Sequence, residues 1–199
     1  MPTLFNKFDL NNISIEEPTK NIDDNVYISN IENVNLQTDK LDIYDNNKKL
    51  KLKLNESFKN FLLLLDEKII EILSKNSKSW FNEDFSIEDM EDFYKGSIKT
   101  IKKTNLEFIS LYIDENISVY DNKKNLLNIE DLSKNNQIIA VIKLDKIIYD
   151  KTSCIPYWTV TQIKLKKLDN LPLDKCLITE DKINNIVNNE NTQRKLFFY

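Results

Sequence analysis

Alternating polar and apolar positions recur along much of this chain and predict a sheet. Lysine and leucine alternate over Lys48–Leu54, as expected for a strand with one wet face and one buried face. Two longer stretches, Ile138–Asp150 and Pro156–Lys167, are rich in β-branched and aromatic residues and predict two strands joined by a short link. Similar but shorter patterns predict strands at 26–29, 34–38, 41–44, 97–103, 106–113 and 117–121.

The central region instead has helical periodicity. Asn55 or Ser57 can cap a helix whose apolar stripe comprises Phe58, Phe61, Leu62, Leu65, Ile69, Ile72 and Leu73. A shorter helix follows, and Ser86 and Asp89 have the spacing of a capping box before it. A third helix is predicted over Glu180–Asn189, with Thr179 as its cap.

The order of these elements predicts an α+β fold with a barrel-like or strongly curled antiparallel sheet. The two central helices form an insertion in that sheet, and a short helix lies near the C-terminus. We predict an extended or loosely ordered N-terminal arm over residues 1–25, a single α+β domain over 26–178, and a C-terminal helix with an aromatic tail over 179–199.

Composition argues against several classes of enzyme. The chain of 199 residues has no histidine and one glycine, so histidine-dependent triads, Walker loops and Rossmann fingerprints are excluded. Cys154 and Cys176 lie too far apart in sequence for paired metal ligands, and the acidic pairs Glu83-Asp84 and Asp114-Glu115 have the character of ordinary surface. We therefore predict a non-enzymatic protein without metal or cofactor.

Hydropathy and the first residues predict where the protein resides. No run of about 18 apolar residues occurs, so no membrane span is predicted. The first residues lack the basic and apolar regions of a signal peptide, which predicts an intracellular protein.

Charge singles out the segment 137–168. It holds six lysines and two aspartates within a chain whose net charge is −4. Cations suit phosphates and aromatic rings suit unpaired bases, so this segment predicts single-stranded nucleic-acid binding. The candidate contacts are Lys51, Lys143, Lys164 and Lys166 for phosphates, Tyr120, Tyr149, Tyr157 and Trp158 for stacking, and Gln162 beside them. Two ordinary strands with solvated lysines are the alternative.

A period of two divides the last strand into two faces. One face is predicted to be solvent-exposed because it carries lysines, and it comprises Trp158, Val160, Gln162, Lys164 and Lys166. The other face ends in Ile163 and Leu165 and suits the core. Either a neighbouring loop, a partner or a stacked base is then expected to cover Trp158.

The C-terminal residues Phe197, Phe198 and Tyr199 are unusual for a solvated tail. They can dock on a protein partner or on the protein's own sheet. An alternative function is therefore that of a virion structural or assembly protein that binds another protein.

Three blocks carry a resemblance to a known family. They are Leu36-Gln37-Thr38, the stretch from Leu65 through Trp80-Phe81, and Ile147–Lys166 with its Trp158-Thr-Val-Thr-Gln162-Ile-Lys164. This order resembles OB-fold-like single-stranded DNA-binding proteins of large nucleocytoplasmic DNA viruses. The resemblance implies an OB-like partial barrel and marks Trp80, Phe81, Trp158, Gln162 and Lys164. The approach to the tryptophan strand, Ile147–Pro156, lacks the glycine expected in that family.

Together, the residues and the resemblance predict a sequence-independent, non-catalytic protein that binds single-stranded DNA or RNA. The resemblance implies a role in viral DNA replication or repair. It also implies a location in the host cytoplasm or viral factory, with packaging in the virion as a further option. The skew toward Asn, Lys and Ile indicates an AT-rich genome, and the oligomeric state is left open.

Overall fold

The computed structural model describes residues 1–21, 26–134 and 136–166. Twelve strands are assigned in it: β1 Thr3–Leu4, β2 Ser14–Ile15, β3 Thr19–Asn21, β4 Val26–Glu32, β5 Asn35–Gln37, β6 Leu41–Asp45, β7 Leu50–Lys53, β8 Ile98–Ile101, β9 Leu106–Tyr120, β10 Leu126–Leu127, β11 Gln137–Tyr149 and β12 Cys154–Lys166. Two α-helices, α1 Glu56–Phe81 and α2 Ile87–Phe93, lie between β7 and β8 in the chain. The α+β fold and its two-helix insertion are confirmed. The predicted C-terminal helix and the tail residues Phe197, Phe198 and Tyr199 lie outside the described residues.

The sheet curls so that its strand order returns on itself. Neighbouring strands follow the order β11-β12-β9-β7-β6, and β6 also pairs with β11 through Leu41 and Asp42. All of these pairings are antiparallel except that between β9 and β12, which is parallel. Read from β6, the neighbouring strands are β6, β7, β9, β12 and β11. Along the chain these are the first, second, third, fifth and fourth of the five strands, which form a partly open barrel. This is an OB-like arrangement, and the predicted OB-like partial barrel is confirmed.

The N-terminal strands extend the sheet along one edge of β11. β4 pairs with residues 146–149 of that strand, β5 with 141–143, and β1 lies parallel to β5. Phe5 is 3% exposed, and its ring centroid lies 5.1 Å from that of Phe58 and 5.6 Å from that of Phe61. The described part of the predicted arm is therefore packed on the sheet and on α1.

Helix α1 buries one stripe against the sheet. The Asn55 side chain accepts a hydrogen bond from the Phe58 backbone N–H at 2.8 Å and caps the first turn. Phe58, Leu62, Leu65, Ile69 and Leu73 are fully buried, which follows their spacing of three and four residues. No helix within the described residues has the length and apolar character needed to cross a membrane.

Asparagine occupies left-handed backbone positions in this glycine-poor chain. Asn82, which follows α1, has a φ of 58°, and Asn33 and Asn105 have φ values of 69° and 50° in turns. Asparagine tolerates this region better than other non-glycine residues because its side chain hydrogen-bonds locally. The turns between strands therefore form without glycine.

Candidate nucleic-acid interface

The outer face of β7 and β9 combines lysine and aromatic side chains. Leu50 and Leu52 of β7 and Ile109 and Leu111 of β9 point into the core and are at most 1% exposed. The alternate positions face away from that core and are partly exposed. They are Lys51 and Lys53 on β7 and Phe108, Ser110 and Tyr112 on β9.

Four aromatic rings lie in two pairs on this side of the barrel. Tyr112 stacks on Tyr157 of β12, with ring centroids 4.0 Å apart and planes 16° from parallel. Tyr44 of β6 lies 5.9 Å from Phe108 at a tilt of 32°. Phe108 and Tyr112 are four residues apart in one strand, so the two pairs are separated by about 13 Å.

A lysine ammonium lies over each of these rings. Lys49 Nζ is 3.7 Å from the centroid of Tyr112, and Lys146 Nζ is 4.8 Å from that of Tyr157. In the other pair, Lys134 lies 5.1 Å from the ring centre of Tyr44 and Lys51 lies 5.9 Å from that of Phe108. These distances are within the range of cation–π attraction. We call the surface formed by these four rings and four lysines the ring–lysine face.

Most of the positive charge on this face is not neutralised by neighbouring acids. Lys49, Lys134 and Lys146 form no ion pair with any described residue. Lys51 pairs with Asp45 at 2.8 Å, and this hydrogen bond lowers the pKa of Asp45, which keeps that carboxylate ionised. Three lysines therefore remain available to phosphates, even though the whole chain has a net charge of −4.

The link between β6 and β7 forms one end of this face. A cleft of about 480 Å³ lies there, with Tyr44, Lys51, Phe108 and Lys134 on its walls and Asn46 and Asn47 at the turn. In OB folds, the face of the second and third strands and the loop between the first and second are common sites for oligonucleotides. The cleft and the rings occupy the corresponding positions here.

Seven of the predicted site residues lie at positions directed away from the core. They are Lys51, Tyr120, Lys143, Tyr157, Gln162, Lys164 and Lys166. Tyr157 and Lys51 belong to the ring–lysine face, whereas Lys164 lies opposite Tyr120 in the pairing of β12 with β9. Lys143 forms an ion pair of 2.6 Å with Asp145, so its charge is partly balanced. Binding by these residues stays a prediction.

Trp158 and Tyr149 are buried, and the wet face predicted for this part of the last strand is wrong. Trp158 is 2% exposed and its indole Nε1–H donates to Ser97 Oγ at 2.9 Å. Tyr149 is 4% exposed and its hydroxyl donates to Ser29 Oγ at 3.0 Å. The reason is a bulge at Thr161, because Val141 pairs with Gln162 while Ile142 pairs with Val160. Trp158 and Val160 therefore face the core before the bulge, and Gln162 and Lys164 face outward after it.

The buried tryptophan completes a polar cluster around Asp66 of α1. The carboxylate accepts from the Tyr94 hydroxyl at 2.8 Å, the Ser97 hydroxyl at 2.7 Å and the Ser97 N–H at 2.7 Å. Desolvation by burial raises the pKa of Asp66 despite these donors. Because Ser97 also accepts from Trp158, the cluster ties the helix to the last strand.

The residues marked by the family resemblance divide between fold and surface. Trp80 is partly buried against the core, and Phe81 lies 5.5 Å from the ring of Tyr149. Together with Trp158, these rings build the fold, and Gln162 and Lys164 lie on the outer surface.

Sequence reasoning missed Tyr44, Phe108, Tyr112, Lys49, Lys134 and Lys146 as members of the site. The alternation over 106–113 places Phe108 and Tyr112 on one face, so a comparison of the faces of this strand can find them. Lys134 and Tyr44 lie far apart in sequence and meet only through the curl of the sheet. No local pattern signals that contact.

Fold and surface together define an OB-like protein whose outer face combines aromatic rings with uncompensated lysines. By sequence, residues 39–175 match a family of unknown function, DUF5871, and the chain belongs to that family. No curated protein matches the chain by sequence.

Solved structures of similar fold come from a phage protein. The C-terminally truncated single-stranded DNA-binding protein of bacteriophage Enc34 has a TM-score of 0.50 and is 13% identical, and the match covers 78% of this chain and 96% of that chain. The same phage protein in complex with single-stranded DNA has a TM-score of 0.46 at 12% identity, covering 76% and 95% of the two chains. Another structure of it has a TM-score of 0.46 at 11% identity, covering 83% and 96%. The first of these likenesses shows the shared fold.

Proposed function

We propose that this protein binds single-stranded DNA on the ring–lysine face, without sequence preference and without catalysing a reaction. The observation that carries the proposal is the set of four outward rings, each with a lysine ammonium within 3.7 to 5.9 Å of its centroid. Unpaired bases expose flat faces that stack on such rings, and the phosphates between them attract the lysines.

Several features support single-stranded rather than double-stranded DNA as the ligand. Duplex bases are stacked on one another and cannot lie flat on Tyr112 or Phe108. The rings lie in a sheet face, with two pairs about 13 Å apart, a distance that a flexible single strand can follow. The phage protein of the same fold is by name a single-stranded DNA-binding protein, which supports the same ligand class here.

Lysines and rings have different expected roles in binding. Lysine offers a point charge rather than a bidentate fork, so its phosphate contacts carry little base information. Burial raises the pKa of Tyr157, which keeps its hydroxyl protonated and able to donate to the nucleic acid. Stacking on the rings is tolerant of base identity, and both contributions therefore favour sequence-independent binding.

The direct test is fluorescence anisotropy of a labelled oligo-dT at about 50 and about 200 mM salt. We expect binding that weakens steeply with salt in the wild-type protein. Tyr112→Ala should raise Kd by about 5- to 150-fold, because stacking of one base contributes about 1–3 kcal/mol. Parallel titrations with oligo-U and with duplex DNA give the preference among nucleic acids.

Tyr27→Ala is the matched control, because Tyr27 is a 49% exposed tyrosine on β4 outside the ring–lysine face. Its Kd should equal that of the wild-type protein. If the wild-type protein is folded yet does not bind at the lower salt, or if both tyrosine variants lose the same affinity, the proposal is wrong.

The biological setting follows from the same proposal. A sequence-independent binder of this kind protects or organises single strands during viral DNA replication or repair. We accordingly propose the host cytoplasm or viral factory as its location, with packaging in the virion as a further possibility to test by fractionation. Membership of the proposed viral single-stranded DNA-binding family and the AT-rich genome stay predictions.

A further inference from the structure

A second cleft lies at the opposite edge of the sheet, beside β1 and β5. Its volume is about 590 Å³ and its lining is largely polar. The residues that matter here are Lys7, Phe8 and Asp9 from the N-terminal segment, Asn12, Asn33 from the turn before β5, and Asn35 at the start of β5. Lys7 is exposed, whereas Phe8 is partly buried and packs edge-on against Phe61. The cleft thus combines a cation, a carboxylate, a ring and several amides.

Asn35 provides an unused acceptor in this cleft. Its side-chain Oδ1 is buried and accepts no hydrogen bond from any described residue. A buried carbonyl oxygen without a donor costs stability. Because this oxygen is itself screened from solvent, a ligand N–H in the cleft reaches it only when the Asn35 side chain turns toward the cleft.

The strand register connects this cleft with the ring–lysine face. Asn35 lies directly opposite Lys143, Lys143 opposite Thr159, and Thr159 opposite Tyr112. Residues directly opposite in a sheet point to the same side, so these four form one row across β5, β11, β12 and β9. Lys49 over the Tyr112 ring ends the row.

The row has the dimensions of a path for a single strand. Three strand-to-strand steps of about 4.8 Å separate Tyr112 from Asn35, a distance of about 14 Å. Stacked nucleotides rise about 3.4 Å each, so about four of them cover this distance, and fewer do if the strand is extended. Lys143 is exposed at the middle of the row and Thr159 lies beside it, and both contact the Asp145 carboxylate. A phosphate on the way must therefore replace Asp145 as the partner of the Lys143 ammonium and the Thr159 hydroxyl.

We propose that the cleft beside β5 receives a base of the same single-stranded DNA that stacks on Tyr112 and Tyr157. The strand crosses β12 and β11 over Thr159 and Lys143, Asn35 Oδ1 accepts an N–H of the base, and Lys7 meets the adjoining phosphate. Every nucleobase carries an N–H group, so the cleft accepts any of the four. This inference rests on the proposed function and extends its site to a second anchoring point.

Oligonucleotide length separates this inference from the proposed function. An oligo-dT of about 2 nucleotides covers only about 7 Å and can occupy the tyrosine pair alone, whereas one of about 12 also reaches the cleft. We expect Asn35→Leu, which removes the acceptor at similar volume, to raise Kd for the longer ligand by about 3- to 10-fold. It should leave Kd for the shorter ligand unchanged, and Lys143→Ala should show the same contrast.

Asn60→Leu is the control, because Asn60 is exposed on α1 and lines neither surface. Urea unfolding of each variant establishes that it is folded before binding is measured. If Asn35→Leu binds the longer ligand as the wild-type protein does, or weakens both lengths equally, the cleft is not part of the path. Absence of wild-type binding to either length refutes the proposed function as well, a result that is distinct from a loss confined to the longer ligand.

Discussion

The Asp66 cluster gives the sharpest test of how the fold is held together. Three donors, the Tyr94 hydroxyl and the hydroxyl and N–H of Ser97, converge on this carboxylate, and Tyr94 and Ser97 are 6% and 3% exposed. Asp66→Ala removes their common acceptor. The Ser97 N–H is fixed by the backbone and the Tyr94 ring is packed, so these two donors are stranded in the variant.

The expected loss can be worked from those two donors. Each buried donor left without an acceptor costs about 1–3 kcal/mol, which gives about 2–6 kcal/mol for the pair. Removal of a desolvated carboxylate offsets part of this cost, because burial already disfavours its charged form. We therefore expect Asp66→Ala to lower the free energy of unfolding by about 3 kcal/mol, a large share of the usual 5–15 kcal/mol.

Urea unfolding followed by tryptophan fluorescence measures this loss, since the indole of Trp158 adjoins the cluster. With a slope of about 2 kcal/mol per molar urea, the midpoint should fall by about 1.5 M. Glu67→Ala is the neighbouring control on the exposed side of α1 and should change stability by less than about 0.5 kcal/mol. An Asp66→Ala midpoint equal to that of Glu67→Ala would falsify the role given to the cluster.

Three other predictions follow from named contacts. Burial raises the pKa of Asp66, so this group stabilises the fold below the ordinary carboxyl pKa and loses that contribution as pH rises through the folded value. The stability advantage of the wild-type protein over Asp66→Asn should accordingly shrink as the pH rises above about 4 in urea titrations. Trp158→Phe should cost about 1–3 kcal/mol of stability, since its Ser97 hydrogen bond is lost, and leave oligo-dT affinity unchanged because the ring is buried. Lys49→Ala should reduce the slope of log affinity against log salt by about 0.7, and at high salt its affinity should match or exceed that of the wild-type protein, since the variant leaves the Tyr112 ring uncovered.

Periodicity predicted most of the fold because burial in this protein follows simple alternation. The leucines of Lys48–Leu54 and the apolar stripe of α1 point into the core as their spacing requires. The position of the single glycine, Gly96, also has a local explanation, since a Cβ there would lie 3.2 Å from Asp66 Oδ2. Neither the parallel pairing of β9 with β12 nor the return of β6 to β11 can be inferred from such patterns, because both depend on contacts distant in sequence.

The site was harder to predict than the fold for a specific physical reason. One extra residue at Thr161 reverses which positions of β12 face the core, and alternation read across it assigns Trp158 to the wrong side. The lysines and rings of the ring–lysine face come from five strands and two links. Their residue types were visible in the sequence, but only the curl of the sheet places Lys134 over Tyr44 and Lys146 over Tyr157.

The lysines over the rings explain how an acidic protein can keep a surface of aromatic rings exposed. Four rings in contact with water would promote unwanted association between protein molecules. An ammonium over each ring covers its face with a hydrated charge. A base that stacks on Tyr112 must displace the ammonium of Lys49, which then lies next to the phosphate of the same nucleotide. In the proposed binding mode, a lysine–ring contact is therefore exchanged for a base–ring contact and a lysine–phosphate contact. At each ring, loss of the lysine–ring contact opposes stacking of a base, and the new lysine–phosphate ion pair compensates for that loss. Added salt weakens the ion pairs but not the stacking, so it should weaken binding without abolishing the preference for unpaired bases.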